Sequence, residues 1–173
     1  MSLRMKLQVL TAAAAAVCAT VGAAAPSGAA AEPTADFTAN VNGKVVDGKV
    51  VTGTLSGKPL EEFTMAVGYY ANGRWSQTGP FSVTIAVPWG FTLKQPTFSN
   101  PAQQCNVAPG GRQVTCYYAG FSRLGEGAGS IFVPVEVSSD ALPGVTVEGQ
   151  VAVVYAADNN PTNNTQNFKI NVV

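Results

Sequence analysis

The sequence contains no histidine. This absence excludes the Ser-His-Asp and Cys-His arrangements of hydrolases and most zinc sites, because both depend on an imidazole side chain. Charged residues make up only 12% of the chain, and the acidic ones are spread widely. The adjacent Glu61 and Glu62 would face opposite sides of a strand, so they favour no glycosidase pair. We therefore expect no enzyme, no catalytic residue, no cofactor and no metal site.

Basic residues are too few and too dispersed to form a patch. The chain has ten Lys and Arg against ten Asp and Glu. Loss of Arg4 and Lys6 with the export signal described below leaves eight against ten, a net charge of −2. The eight are scattered singly: Lys44, Lys49, Lys58, Arg74, Lys94, Arg112, Arg123 and Lys169. Because phosphate neutralisation needs a basic face, we expect neither nucleic acid nor an anionic membrane surface as a partner.

No stretch of the mature chain has a sustained helical apolar period, so we expect almost no helix. Apolar residues instead alternate with polar or small ones at the period of two that half-buried strands require. The predicted strands are 63–69, 81–87, 131–137, 147–155 and 168–172, with further candidates at 37–41, 44–52 and 113–119. Turn formers separate them: Asn42-Gly43, Asp47-Gly48, Asn72-Gly73, Pro109-Gly110-Gly111 and Pro143-Gly144. This pattern predicts an all-β, immunoglobulin-like antiparallel β-sandwich of seven to nine strands, with a small closed barrel as the second choice.

The first 31 residues have the layout of a secretory signal peptide. Arg4 and Lys6 form a positive start, residues 9–25 an Ala- and Val-rich apolar segment, and residues 26–31 a small-residue end with a cut after Ala31. The alternative is a retained membrane anchor over residues 7–25, but alanine is weakly apolar and no basic cluster follows. We expect one folded domain, residues 32–173, that is secreted or extracellular, monomeric and without a membrane partner after cleavage.

Two cysteines remain after loss of the signal, which takes Cys18 with it. Cys105 and Cys116 flank the turn at 109–112, which would fold the two arms into a hairpin. In an exported protein such a pair favours a disulfide over two buried free thiols. We therefore predict a Cys105–Cys116 bridge.

The segment 158–164 is rich in Asp and Asn: Asp158, Asn160, Asn163 and Asn164 supply the oxygen atoms that calcium prefers. Only one of these residues is a carboxylate, however. Asp and Asn also bond back to their own backbone to form turns. We therefore predict a structural turn, with a calcium loop as the alternative.

Several of these segments occur in a recognisable order: Val87-Pro88-Trp89-Gly90-Phe91, Cys105, Val114-Thr115-Cys116, the strand 131–137, Pro143-Gly144 and the run 157–164. In this order the chain resembles the bacterial surface-protein repeat called domain of unknown function number eleven, and in general build it is similar to bacterial cell-adhesion-related immunoglobulin-like domains. The resemblance covers residues 62–173. It implies a non-catalytic extracellular module.

Aromatic residues are the feature from which a ligand site could be built. Each of the pairs Tyr69-Tyr70 and Tyr117-Tyr118 must project one ring to each face of a strand. Trp89 is expected to cap the sandwich beside Pro88. The segment 71–80 contains Arg74 and Trp75, residue types enriched at binding hot spots, and is the candidate contact loop.

These observations together predict a secreted, non-catalytic immunoglobulin-like interaction or adhesion module of a bacterial surface or extracellular protein. The alternative is a carbohydrate-binding module that uses exposed aromatic rings. Accordingly, we expect the partner to be an as yet unknown protein or a cell-wall glycan. A contiguous strip of exposed rings would favour sugar binding, whereas an apolar edge would favour protein contact.

Overall fold

The computed structural model describes residues 35–72, 79–98, 104–120 and 127–173. These residues form two β-sheets and one short 3-10 helix, Pro161–Asn163. The strands are β1 (Asp36–Val46), β2 (Lys49–Val51), β3 (Leu55–Gly57), β4 (Glu62–Asn72), β5 (Phe81–Ala86), β6 (Phe91–Leu93), β7 (Thr97–Phe98), β8 (Gln104–Val107), β9 (Gln113–Tyr118), β10 (Ala128–Val137), β11 (Thr146–Tyr155) and β12 (Thr165–Val172). The predicted all-β class is confirmed.

The two sheets are separate, which makes the fold a sandwich and not the closed barrel considered as second choice. The first sheet has the order β2-β1-β4-β10-β6, with β7 also paired to β10. The second has the order β3-β12-β11-β5-β9-β8. All pairs are antiparallel except β3 with β12.

Seven strands have six residues or more, and these correspond to the predicted segments. The remaining five have at most four residues, of which β3, β6, β7 and β8 lie outside the predicted segments. Such short edge segments carry too few residues to show a period of two, which explains why they escaped prediction.

The core lies between the sheets and is filled by every second residue of the long strands. Residues 63, 65, 67 and 69 of β4 are all buried, and so are residues 81, 83 and 85 of β5. At one end of this core five aromatic rings pack with centroids 4.7 to 5.6 Å apart: Phe37, Tyr69, Phe81, Tyr118 and Tyr155. Burial, with a further effect of Tyr69, raises the pKa of Tyr118, so its hydroxyl stays protonated.

The Asn42-Gly43 pair does not form the predicted turn. Strand β1 continues through it with a β-bulge between Val41 and Gly43, where the register to β4 shifts. Gly43 has a φ of +142°, and a Cβ there would overlap the carbonyl of Val51. Asn-Gly favours a turn locally, but here it forms a bulge, because β4 pairs with the residues of β1 both before and after it.

The sandwich has two ends, which we name by a residue at each. At the Asp158 end, Ala35 forms a parallel bridge to Asp158 just before β1 begins. At the Trp89 end, the segment 87–90 crosses from β5 of the second sheet to β6 of the first. Strand β12 runs toward the Trp89 end, where the Val173 amide donates to the Gly57 carbonyl at 3.1 Å.

Gly129 of β10 allows a test of the core packing. A Cβ at this position would overlap the Tyr69 hydroxyl and ring. Because overpacking a core costs about 1–3 kcal/mol, we expect Gly129→Ala to lower the free energy of unfolding by about that amount. Denaturant unfolding measures it.

Gly79→Ala is the matched control, since a Cβ at Gly79 would meet Tyr155 at an ordinary 3.7 Å. Equal stability of the two variants would contradict the described packing of Tyr69.

Candidate binding surface

The predicted disulfide is present in the structure. Cys105 of β8 and Cys116 of β9 are directly opposite in the antiparallel ladder and are bonded, with their Cα atoms 4.0 Å apart. The Gly111 amide donates to the Ala108 carbonyl at 2.9 Å, which closes the turn between the two strands. The hairpin predicted from the turn between the two cysteines is thus confirmed.

The Asp158 segment is held by bonds within the protein. Its carboxylate accepts hydrogen bonds from the Phe37 amide at 2.9 Å, the Asn160 amide at 2.8 Å and the Asn164 side chain at 3.1 Å. Asn163 donates to Asp36 at 2.8 Å. These bonds join the β11–β12 connection to the start of β1, as expected of a structural turn.

The candidate contact loop with Arg74 and Trp75 lies outside the described residues, so its role stays a prediction. Both tyrosine pairs behave as predicted. Tyr69 is fully buried while Tyr70 is 39% exposed on the outer face of the first sheet. Tyr118 is buried while Tyr117 is 45% exposed on the outer face of the second.

Trp89 does not cap the core, contrary to prediction. Its side chain is 64% exposed, because the residue stands on the crossover between the two sheets instead of in a strand. The crossover is fixed on both sides: the Val87 amide donates to the Arg112 carbonyl at 3.0 Å, and the Ser138 amide donates to the Gly90 carbonyl at 2.8 Å. Gly90 has a φ of +93°, a conformation that favours glycine. Trp89 is therefore an exposed ring on a rigid support.

An apolar cleft of about 200 Å³ lies on one side of Trp89. Leu142 and Val145 on its rim are exposed, whereas Phe91 and Val172 at its base are buried. Its lining is Trp89, Gly90, Phe91, Ala141, Leu142, Val145, Val147 and Val172. Exposed aliphatic groups therefore adjoin an exposed indole at this end of the sandwich.

A second, polar cleft of about 320 Å³ also adjoins Trp89. It is lined by Trp89, Gly90, Phe91, Thr92, Gly110, Arg112, Ser138 and Asp140. The Asp140 carboxylate accepts from the Ser139 hydroxyl at 3.2 Å. Among the described residues Arg112 makes no ion pair, which leaves its guanidinium available to a partner's carboxylate.

We use the term Trp89 surface for this ring and its two clefts. Of this surface, the sequence alone indicates only Trp89, and its pattern predicts a place over the core. Its signal was the Pro88-Trp89-Gly90 triplet, in which Pro and Gly interrupt the alternation of the preceding strand. The clefts themselves join residues distant in sequence and have no local signal.

The adjacent carboxylates Glu61 and Glu62 are engaged in separate ion pairs. Glu61 accepts from the Lys44 ammonium at 2.6 Å and from the Lys58 amide at 2.8 Å, and these bonds hold the pKa of Glu61 below its usual range. Glu62 pairs with Lys94, which also binds Glu136. Neither carboxylate is placed opposite the other as a catalytic acid and base would be.

Within the four described ranges, no group of three or more acidic or cysteine side chains is arranged to hold a metal ion. In the same ranges, no helix is long and apolar enough to cross a membrane.

We expect the Asp158 turn to be indifferent to calcium, since both oxygens of that carboxylate already accept protein hydrogen bonds. Thermal unfolding should give the same Tm with calcium and with chelator. By contrast, Asp158→Ala should lower stability by about 2 kcal/mol or more, because it leaves a backbone donor of β1 without its acceptor.

Glu148→Ala is the control, since it removes only an exposed ion pair at 3.8 Å. A rise of several degrees in Tm with millimolar calcium would overturn the structural reading of the turn.

The disulfide should survive purification and add to stability. Intact mass measured without reduction should be two hydrogens below the value for the reduced chain. Reduction should cost about 3 kcal/mol of unfolding free energy, the chain-entropy value for a loop of this length. Two freely alkylated thiols in the folded protein would contradict the bridge.

No protein-family model matches this chain, and no curated protein sequence matches it. Solved structures do show its fold. A variant of BcpA, the major pilin subunit of Bacillus cereus, aligns with a TM-score of 0.55 at 16% identity over 82% of this chain and 41% of the pilin. This chain therefore spans less than half of that relative.

Two further similarities are weaker. The C-terminal fragment of the major pilin GBS80 of Streptococcus agalactiae gives a TM-score of 0.49 at 12% identity, covering 81% of this chain and 56% of the fragment. The sixth cohesin of scaffoldin B from Acetivibrio cellulolyticus gives 0.42 at 12% identity, covering 81% of this chain and 99% of the cohesin. The immunoglobulin-like β-sandwich is what the BcpA match establishes for this chain.

Proposed function

We propose that residues 32–173 form a secreted, non-catalytic immunoglobulin-like interaction module of a bacterial surface or extracellular protein. In this proposal the module binds a protein partner through the Trp89 surface. The observation that carries the proposal is the 64% exposed indole, held on a rigid crossover, that lines both an apolar and a polar cleft.

An exposed tryptophan on a rigid support is a strong binding element for a physical reason. Its large ring is removed from water when a partner covers it, and little conformational entropy is lost because Gly90 and Val87 already fix the backbone. Tryptophan and arginine are the residue types enriched at binding hot spots, and Arg112 lines the neighbouring cleft.

The two clefts define the chemistry of the partner segment. The apolar cleft fits one aliphatic or aromatic side chain, since Leu142 and Val145 offer only carbon atoms at its rim. The polar cleft contains the Arg112 cation. A segment with an apolar residue near a carboxylate would satisfy both, with the indole lining both.

A role without catalysis is supported by the carboxylates named next, which are engaged in bonds within the protein. Glu61, Glu62 and Glu136 form ion pairs with lysines, and Asp158 is bonded to backbone and amide groups. Export is supported by the signal-like first 31 residues and by the Cys105–Cys116 bridge, since disulfides persist in oxidising compartments.

The Trp89 surface can be tested with a display library of random peptides, selected on the immobilised module. We expect the selected peptides to contain an apolar residue near Asp or Glu. Trp89→Ala should weaken their binding by about 2 kcal/mol, roughly thirtyfold in Kd, as loss of a hot-spot ring does. Its unfolding free energy should change by about 0.5 kcal/mol or less, since the ring is exposed.

Tyr70→Ala is the matched control, because Tyr70 is exposed on a sheet face away from the clefts. Equal peptide binding by wild type and Trp89→Ala would sink the proposal. Selective binding of sugars at Trp89, measured on a glycan array with the same variants, would replace it by the carbohydrate-binding alternative.

A further inference from the structure

The outer face of the second sheet is a neutral, polar surface. Most of its outward side chains on β8, β9, β5, β11 and β12 are Thr, Ser, Asn, Gln or Ala; Tyr117 and Val154 are the apolar exceptions. The charged ones are Glu148 and Lys169, which are opposite each other on β11 and β12 and form an ion pair at 3.8 Å. A charged polymer would find no complementary field on this face.

Several polar side chains of this face are hydrogen-bonded to one another. Thr84 and Thr115 are joined hydroxyl to hydroxyl at 3.1 Å, and Gln150 donates to Asn167 at 3.2 Å. Such pairs hold the side chains in fixed rotamers while leaving their remaining donors and acceptors free for a ligand. Less conformational entropy is therefore lost when a ligand binds.

A depression of about 340 Å³ lies at one end of the face. It opens where β5 ends at Ala86 and the chain leaves for the crossover at Pro88, so that pairing of β5 with β11 begins only at Gln150. Glu148, Gln150 and Asn167 place polar groups on its walls. It is an open depression, and its volume is at the low end of the range of small-ligand sites.

Tyr117 lies farther along the same face. It is opposite Ser82 on β5, which is in turn opposite the exposed Val154 on β11. Tyr117 is four residues along β9 from Gln113, the partner of Ala86, so it stands about 13 Å from the depression. Only an extended molecule can contact both.

We infer that this face is a second binding site, specific for a neutral, hydroxyl-rich polysaccharide. One sugar unit would occupy the depression beside Gln150 and Asn167, and a later unit would stack on the Tyr117 ring. The hydroxyl and amide pairs between them would hydrogen-bond the intervening sugars. This site is separate from the Trp89 surface and does not depend on the function proposed for it.

Titration calorimetry with neutral oligosaccharides tests the inference, using cellulose and chitin oligomers of increasing length, with polygalacturonate as the charged comparison. We expect affinity to rise with length until the face is spanned, to be nearly independent of salt, and to be absent for the polyanion. Tyr117→Ala should weaken binding about tenfold. Tyr70→Ala, which removes a similarly exposed ring from the other sheet, should leave it unchanged.

Thr115→Glu supplies a second variant, since it places an unpaired charge in the middle of the face and should abolish binding. If either variant folds poorly, the wild-type protein can be used alone. Added oligosaccharide should then change the amide chemical shifts of residues in β5, β9 and β11. The inference is overturned if no neutral oligosaccharide binds, if Tyr117→Ala binds normally, or if Trp89→Ala is the variant that loses binding.

Discussion

Burial of one face of every long strand between the two sheets is the constraint on which the rest of this structure depends. Alternate side chains point to opposite faces of a strand, so each residue that faces the core places its neighbours on the outer face of its sheet. The fully buried residues of β4, β5, β10 and β11 are apolar for this reason. The same geometry leaves Tyr70 and Tyr117 outside while Tyr69 and Tyr118 complete the aromatic end of the core.

The periodic part of the fold could be predicted from the sequence because it depends on spacing alone. The long strands, the split tyrosine pairs and the Cys105–Cys116 hairpin all follow from residue order within one segment or across one turn. The bulge at Gly43 could not be predicted, since Asn-Gly favours a turn locally and only pairing with β4 decides between the two.

The exposure of Trp89 also could not be predicted without the folded structure. An indole after an alternating apolar strand resembles the next buried residue. Pro88 and Gly90 beside it mark the end of the alternation, but they do not indicate that the chain changes sheets there. Likewise, the polar face is spread over β8, β9, β5, β11 and β12, and its composition becomes visible only once their register is known. Sites made from several strands have no continuous sequence signal.

The crossover at 87–90 contributes to both candidate surfaces. Pro88 borders the depression of the polar face, and Trp89 lines both end clefts. The two surfaces differ in chemistry: one concentrates apolar area in a single ring, whereas the other distributes hydrogen-bonding groups over several strands. A sandwich can carry both because its core is complete without either of them.

The placement of β1 and β12 has a mechanical consequence. Strand β1 starts at the Asp158 end, and β12 finishes at the Trp89 end. A pull applied between Ala35 and Val172 would therefore act along the strand axes. Pairing of β12 with β3 is parallel, and the ladder of β1 with β4 extends from Asp36 to Val45. Such a load would shear the backbone hydrogen bonds of these ladders together instead of opening them one by one.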